Sequence, residues 1–460
     1  MSAAMTEDAA SMLDGAGGAE GTEPEGADFY ATRLAGLNEN NAVVTTDDIV
    51  NSKGVVLVRK GARVDANMAE KILRHKLIKP LEEQVAVADG LDGPHLAQRF
   101  AALHEKYPDI GRLHNQLGSA NQCHILAKDS DYHPQLWQKL TVLEHEMPAE
   151  FEKGLFCAGI AALLARELKL SHQDIEAAFL AGLMHDVGLL HVAPDILNKT
   201  AVLTPAEWRA IQSHVITGRM LLEHLPGVPE SAARAVFEHH ERCDGTGYPG
   251  GNGEDRLGML GQVVAIADSV QAIRVRQFEK LGRNLLDMLP YLHLNAYTHF
   301  YAVFQAMVSV LKRSGLAATI ADPYGGVAAM AQRLQQRGRL LQEAVGHLQA
   351  MVEKLEALPK RGGRGQHMLR SARRVQTMMV SSGLVRDELL GWLEALEVTP
   401  DTVALAELNE IDLMQNELRW QVRNLLRAFG EFYDLECADD RCGALMVLAE
   451  RLQASLEAAR

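Results

Sequence analysis

Between residues 185 and 268 the chain places His185-Asp186, His214, His239-His240 and Asp268 in or beside apolar stretches spaced for helices, among them AGLMHDVGLL, WRAIQSHVITGRMLLEHL and VVAIAD. Polar and ionised groups in such surroundings have to be paired, hydrogen-bonded or bound to a metal, because an unpartnered buried charge is strongly disfavoured. Any one of these histidines alone reads as a core imidazole bonded to a neighbour. The ordered set reads as one cluster. Neighbours on a helix diverge by about 100°, so His185 and Asp186 can serve different atoms of it. A carboxylate has two oxygens and can bridge two cations, whereas an imidazole binds one. Imidazole and carboxylate together suit Fe, Mn, Zn, Co or Ni rather than Ca or Mg. Two such ions about 3.5–4 Å apart would polarise a phosphoryl oxygen and generate hydroxide for in-line attack. His239-His240 runs into an Asp-Gly, Gly-Tyr-Pro turn whose glycines allow a ligand close to the backbone. Gly218, one turn after His214, is expected to remove bulk beside that imidazole.

The rest of the chain frames this cluster. With 460 residues it exceeds one ordinary core, so several domains are expected. Residues 1–41 read as a disordered tail, since the first 28 hold acidic residues, no basic ones and much Gly and Ala. Residues 42–92 read as a small α+β module: AVVTTDDIV as strand, NSKG as turn, VVLVRKG as strand, a helix capped by Asp65, and PLEEQVAVA as a returning strand. Residues 93–144 read as a helical connector and 145–320 as the domain that carries the chemistry. Residues 321–460 return to long helices, where Leu334, Leu341, Val345, Leu348, Val352 and Leu355 form a heptad-like stripe. Such a stripe predicts self-association or the docking of a partner helix.

The formal charge of −14, from 46 Lys+Arg against 60 Asp+Glu, argues against a broad nucleic-acid or anionic-membrane surface. The group Lys360, Arg361, Arg364, Arg370, Arg373 and Arg374 reads as a solvated loop and helix start. Five scattered cysteines give no disulfide framework, and Cys437 with Cys442 lacks further zinc partners. The opening MSAAMTEDAASMLDGAGG has neither a positive n-region nor an apolar h-region, and no stretch is apolar enough to span a bilayer. A cytoplasmic location is expected.

The stretches HDVG at 185–188, PDILNK at 194–199, LTPAEW at 203–208, SHVITGRMLL at 213–222, HHERCDGTGYPGG at 239–251 and VVAIAD at 263–268 resemble the HD-GYP subgroup of the HD-domain phosphohydrolases. The resemblance covers about a third of the chain. It implies a mainly α fold: an all-helical HD-GYP domain preceded by the small α+β module and followed by the long-helix C-terminal region. It implies two divalent transition metal ions, Fe or Mn foremost, and hydrolysis of cyclic di-GMP or a related cyclic dinucleotide to a linear product. Ligand roles fall on His185, Asp186, His214, His239, His240 and Asp268, with Asp186 also catalytic as the bridging carboxylate. Gly247, Tyr248 and Pro249 form the signature loop beside substrate. Arg276 stands for a substrate-contacting arginine, since the family's later Arg-Pro-Tyr is here Arg276-Gln277-Phe278.

Three departures accompany the resemblance. Lys153 occupies the place of a further metal-binding histidine, Leu189 that of a phosphate-contacting lysine, and Gln271 that of an aspartate. An ammonium is no metal ligand, so the first metal site is expected to be weak or empty. The two function classes that follow are a cyclic-dinucleotide phosphodiesterase with an asymmetric metal centre, and a degenerate domain that binds the nucleotide or a partner and passes the signal on.

Overall fold

The computed structural model describes residues 29–38, 41–358, 363–396, 402–436 and 443–458, which form two compact units, Met1–Ala88 and Asp89–Arg460. Helices of eight residues or more are numbered. The small unit opens with α1 (Tyr30–Leu37), inside the segment expected to be tail. Tyr30, Leu34 and Leu37 stand four and three residues apart, and all three are fully buried, so α1 belongs to this unit's core. The expected single strand AVVTTDDIV is divided: β1 (Val43–Thr45) pairs antiparallel with β4 (Val85–Val87), and β2 (Ile49–Val50) with β3 (Val56–Val58). Between β3 and β4 lies α2 (Ala66–Leu73), whose N-cap Asp65 accepts the Met68 N–H at 2.9 Å.

The large unit starts with α3 (Gly93–Lys106), α4 (Pro108–Gln116), α5 (Ala120–Lys128) and α6 (Pro134–Glu146). The central pair is α7 (Pro148–Glu167) and α8 (His172–Met184). Alanines 158, 161, 162 and 165 on α7 and 177, 178 and 181 on α8 are fully buried or nearly so, and their short side chains let two helices approach closely. A 3-10 turn (Val187–His191) and a one-turn helix (Pro194–Leu197) lead to α9 (Pro205–Gln212), which carries a capping box between Thr204 and Glu207, and then to α10 (His214–Glu223), α11 (Glu230–Glu238) and α12 (Met259–Ile273). Helix α12 packs on α7, α8 and α11, and α13 (Tyr301–Lys312) covers α7 and α12.

The C-terminal helices are α14 (Val327–Glu356), α15 (Gly363–Ser381), α16 (Asp387–Ala395), α17 (Thr402–Glu436) and α18 (Gly443–Ala458). The stripe on α14 is filled from within the chain. Leu341, Leu348, Val352 and Leu355 pack with Met368 and Val375 of α15, Leu418 and Val422 of α17, and Leu445 and Leu452 of α18. Leu334 packs with Leu390 and Leu393 of α16 and Leu408 of α17. The expected self-association or partner docking through this stripe is therefore corrected, because its apolar face is already covered. Among the described residues, no helix is long and apolar enough to cross a membrane.

Candidate metal centre

Four chain segments bring the six residues together. His185 ends α8, and Asp186 leads into a 3-10 turn, Val187–His191. His214 opens α10, His239 and His240 follow the last turn of α11, and Asp268 faces inward from α12. Gly188 allows the 3-10 turn to lie against α10, since a Cβ there would collide with the His214 carbonyl. Gly218 serves the same seam, where a Cβ would meet Val236 and Val187 rather than the imidazole that the sequence suggested.

Three of the imidazoles are oriented by one device. Nδ1 of His185, His214 and His239 donates to the carbonyl three residues earlier, Gly182 at 2.8 Å, Ile211 at 2.7 Å and Val236 at 2.7 Å. With Nδ1 protonated, each Nε2 presents a lone pair to the centre. Nε2 of His214 and of His239 lie 3.4 Å apart, and Asp186 Oδ1 lies 3.3 Å and 3.9 Å from them. Lone pairs converging without a proton between them repel one another, and a cation among them removes that repulsion. Ligand atoms about 2.1 Å from a shared ion stand roughly 3–3.5 Å apart, so the spacing fits a metal. Asp186, His214, His239 and His240 offer ligand atoms within 4.8 Å of one another. The His240 ring stacks on Tyr248 with centroids 4.6 Å apart.

A second group consists of His185, Asp268 and Cys157, also within 4.8 Å. His185 Nε2 lies 3.1 Å from Asp186 Oδ2 and 3.7 Å from Asp268 Oδ1. Lys153 enters this group from α7. Its Nζ donates to Asp186 Oδ2 at 2.7 Å and lies 2.8 Å from Asp268 Oδ1, close enough for an ion pair but without hydrogen-bond direction. The two oxygens of Asp186 are thus divided, Oδ1 to the first group and Oδ2 to the second.

Burial and charge oppose each other throughout. Burial works against the Lys153 ammonium, but Asp186, Asp268 and Glu150 outweigh it and hold it well above the usual lysine range. Burial likewise disfavours the ionised carboxylates. For Asp186 the charges of His185 and Lys153 win, and for Asp268 those of Lys153 and His240, leaving both well below the usual range. His185 is raised, since Asp186 overcomes burial, whereas burial keeps His239 well below the usual value and His240 down at about 3. Glu150 is raised by burial and by Asp186.

The signature loop folds back on its own chain. Gly247 lies so close to the backbone of His240, Glu241 and Arg242 that a Cβ would collide with all three. The close approach is therefore to the chain itself, not to a ligand as the sequence suggested. The fully buried Glu241 carboxylate accepts from Gly250 N at 2.6 Å, Asn252 N at 3.1 Å and Asn252 Nδ2 at 3.4 Å. Arg242 donates to the carbonyls of His239 and Glu241 and to Ser269. The loop is also met by Arg374 of α15, which donates to Thr246 Oγ1 at 3.1 Å, so this arginine is not simply solvated as expected. Pro249 is half-buried after a cis peptide to Tyr248.

Arg276 is not brought to the centre. It is exposed on a π-turn after α12, and among the described residues no site side chain pairs with it; the buried arginine of that turn is Arg274, which meets Asp109 and Glu279. Leu189 and Gln271 are buried, and His145 is exposed. Cys437, Cys442, Lys360 and Arg361 lie outside the described residues. Sequence reasoning missed Cys157, Glu241 and Arg242. Cys157 follows Lys153 by four residues on one helix, a spacing that places it on the same face.

A fold of helices presenting ordered His and Asp side chains to one buried point defines a class, and residues 131–302 match the family model described as HD domain. This part of the chain is an HD domain homologous to the HD-GYP phosphodiesterases of cyclic di-GMP and cGAMP. The chain is 31% identical over 157 residues to "Cyclic di-GMP phosphodiesterase PA4108" of Pseudomonas aeruginosa, 34% of this chain and 38% of that one. It is 33% identical over 136 residues to "3'3'-cGAMP-specific phosphodiesterase 3" of Vibrio cholerae, 30% of this chain and 29% of that one. The chain thus spans well under half the length of these relatives. Among solved structures, "Bd1817, a HDG"Y"P protein from Bdellovibrio bacteriovorus" aligns with a TM-score of 0.32 at 13% identity, over 58% of this chain and 95% of that one.

Proposed function

We propose that the chain is a metal-dependent phosphodiesterase that opens a cyclic dinucleotide, cyclic di-GMP foremost, to a linear product. The observation that carries this reading is the convergence of the Nε2 atoms of His214 and His239 with one Asp186 oxygen, with His240 beside them. Asp186, His214, His239 and His240 would hold a divalent transition metal. Such an ion, when bound, supplies Lewis-acid polarisation of a phosphoryl oxygen and lowers the pKa of water.

The chain's own part is orientation and exclusion of water. The three backbone carbonyls fix the imidazole tautomers before any ligand arrives, which lowers the reorganisation needed on binding. Tyr248, stacked on His240, keeps that ring in one plane. Glu241 ties the loop of Gly247, Tyr248 and Pro249, which would bound the substrate. The names of the two relatives above support a cyclic dinucleotide as substrate.

The second reading, a nucleotide-binding module without turnover, is favoured by one observation, the Lys153 ammonium between Asp186 and Asp268. One experiment separates the readings. Protein loaded with Mn2+ or with Fe2+ is incubated with cyclic di-GMP and with 3'3'-cGAMP, and products are resolved by chromatography. Linear product that vanishes in His214→Ala supports the enzyme. Binding of nucleotide by metal-loaded protein with no product from either substrate overturns it.

A further inference from the structure

We propose that the Lys153 ammonium is a built-in cation standing where a first metal ion would otherwise bind, so that this centre takes a single metal. The inference rests on the reading that Asp186, His214, His239 and His240 hold that metal.

Position is the first argument. A metal in the second group would need Asp186 Oδ2, Asp268 Oδ1 and His185 Nε2 as ligands. Lys153 Nζ already lies 2.7 Å and 2.8 Å from those two oxygens. An ion bound to both would stand within van der Waals contact of the ammonium, like charge against like charge at a site only slightly open to water. The repulsion between two cations at such a distance is several-fold larger there than in bulk solvent. The same pair of oxygens cannot serve both.

Local design is the second. Lys153 is not a surface lysine that happens to swing inward. It sits on the buried helix α7 with its side chain 22% exposed, among Phe151, Gly154, Leu155 and Cys157, all buried. The partners are also unequal. Asp186 receives a directed hydrogen bond, and Asp268 Oδ1 and His185 Nε2 are buried without one. A compact ammonium with three donors offsets one of the two carboxylate charges without satisfying every lone pair around it, as expected of a substitute in a pocket shaped for an ion. Cys157, which with His185 and Asp268 makes up the second group, is fully buried.

Metal content tests the inference without relying on turnover. Protein saturated anaerobically with Mn2+ and freed of loose ion is measured for manganese per chain by mass spectrometry, and for spin-coupled manganese pairs by electron paramagnetic resonance. The wild type should hold one ion and show no coupled pair. Lys153→His should hold two and show the coupled signal, and Lys153→Arg should stay at one. Asp268→Asn, which removes a charge beside the ammonium and keeps a side chain of the same size 3.8 Å from His240 Nδ1, should also stay at one, and this variant keeps the test decisive should Lys153→His misfold. Two ions in the wild type, one ion in folded Lys153→His, or loss of the ion in Asp268→Asn would each overturn the inference while leaving a metal centre in place. No ion in the wild type would instead overturn the reading beneath it.

Discussion

Replacing Glu241 by Ala should release the signature loop from the candidate metal centre. The carboxylate accepts two backbone N–H groups, Gly250 at 2.6 Å and Asn252 at 3.1 Å, and the Asn252 side chain at 3.4 Å. A hydrogen bond to a charged acceptor contributes about 1.5–3 kcal/mol, so the two backbone bonds sum to about 3–6 kcal/mol. Two facts select the low end. Gly250 is exposed, so its N–H regains water when the carboxylate is lost. Burial also pushes the Glu241 carboxyl upward, and the N–H groups of Gly250 and Asn252 offset this only in part. About 3 kcal/mol remains, which corresponds to roughly a hundredfold rise in the open population of the loop. Hydrogen exchange read by mass spectrometry on a peptide covering 242–253 should show that rise. Exchange over α7 should stay as in the wild type. Glu241→Gln, which keeps one acceptor oxygen, should fall between. Unchanged exchange across 242–253 in the alanine variant would refute the account of how the loop is held.

Two further outcomes are expected. Burial holds His114 down at about 3, with its Nδ1 against Ser119 Oγ at 2.8 Å. Below about pH 6.5 the unfolded chain takes up a proton that the folded chain refuses, so this group removes stability as pH falls, by roughly 2 kcal/mol between pH 6.5 and 5. The acid loss seen in urea midpoints should shrink by that amount in His114→Leu, and an equal loss in both proteins would contradict the assignment. Leu348→Glu should unfold the C-terminal helices rather than dissociate an oligomer, because it places a carboxylate in a filled core at a cost of several kcal/mol. Circular dichroism melts with light scattering decide this, and a well-folded variant of lower mass would restore the self-association reading.

What could be read from the sequence was what depends on neighbours along the chain. His185-Asp186, His214, His239-His240 and Asp268 stand in helical spacing within apolar segments, and those segments are the ones the fold draws to one point. Asp65 and Thr204 are caps for the same local reason. Contacts across elements were not readable. Nothing in the spacing tells that Glu241 reaches Gly250, or that Arg374 reaches Thr246 more than a hundred residues away. The stripe on α14 illustrates the limit, since a heptad pattern is the same whether the covering helix belongs to this chain or another. Helix α1 shows the reverse error. Its apolar spacing at Tyr30, Leu34 and Leu37 was present, but the acidic, glycine-rich run before it dominated the reading of composition.

Asp186 joins the two halves of the centre. Its Oδ1 belongs to the His214–His239 side and its Oδ2 to the Lys153–His185 side, at distances of 3.3 Å and 2.7 Å to the nearest partner on each. A carboxylate used from both ends is held in orientation by both, so the His214–His239 side inherits its geometry from the lysine side. Removing Asp186 would therefore do two things at once, deleting a proposed ligand and leaving a buried ammonium with one carboxylate fewer. Removing Lys153 deletes no ligand, yet it frees Oδ2 and exposes two carboxylates to each other across the pocket. The asymmetry between those two substitutions follows from the division of one side chain between two groups. On the proposed reading, it is the reason that the lysine, and not the six matched residues alone, would decide what this centre can hold.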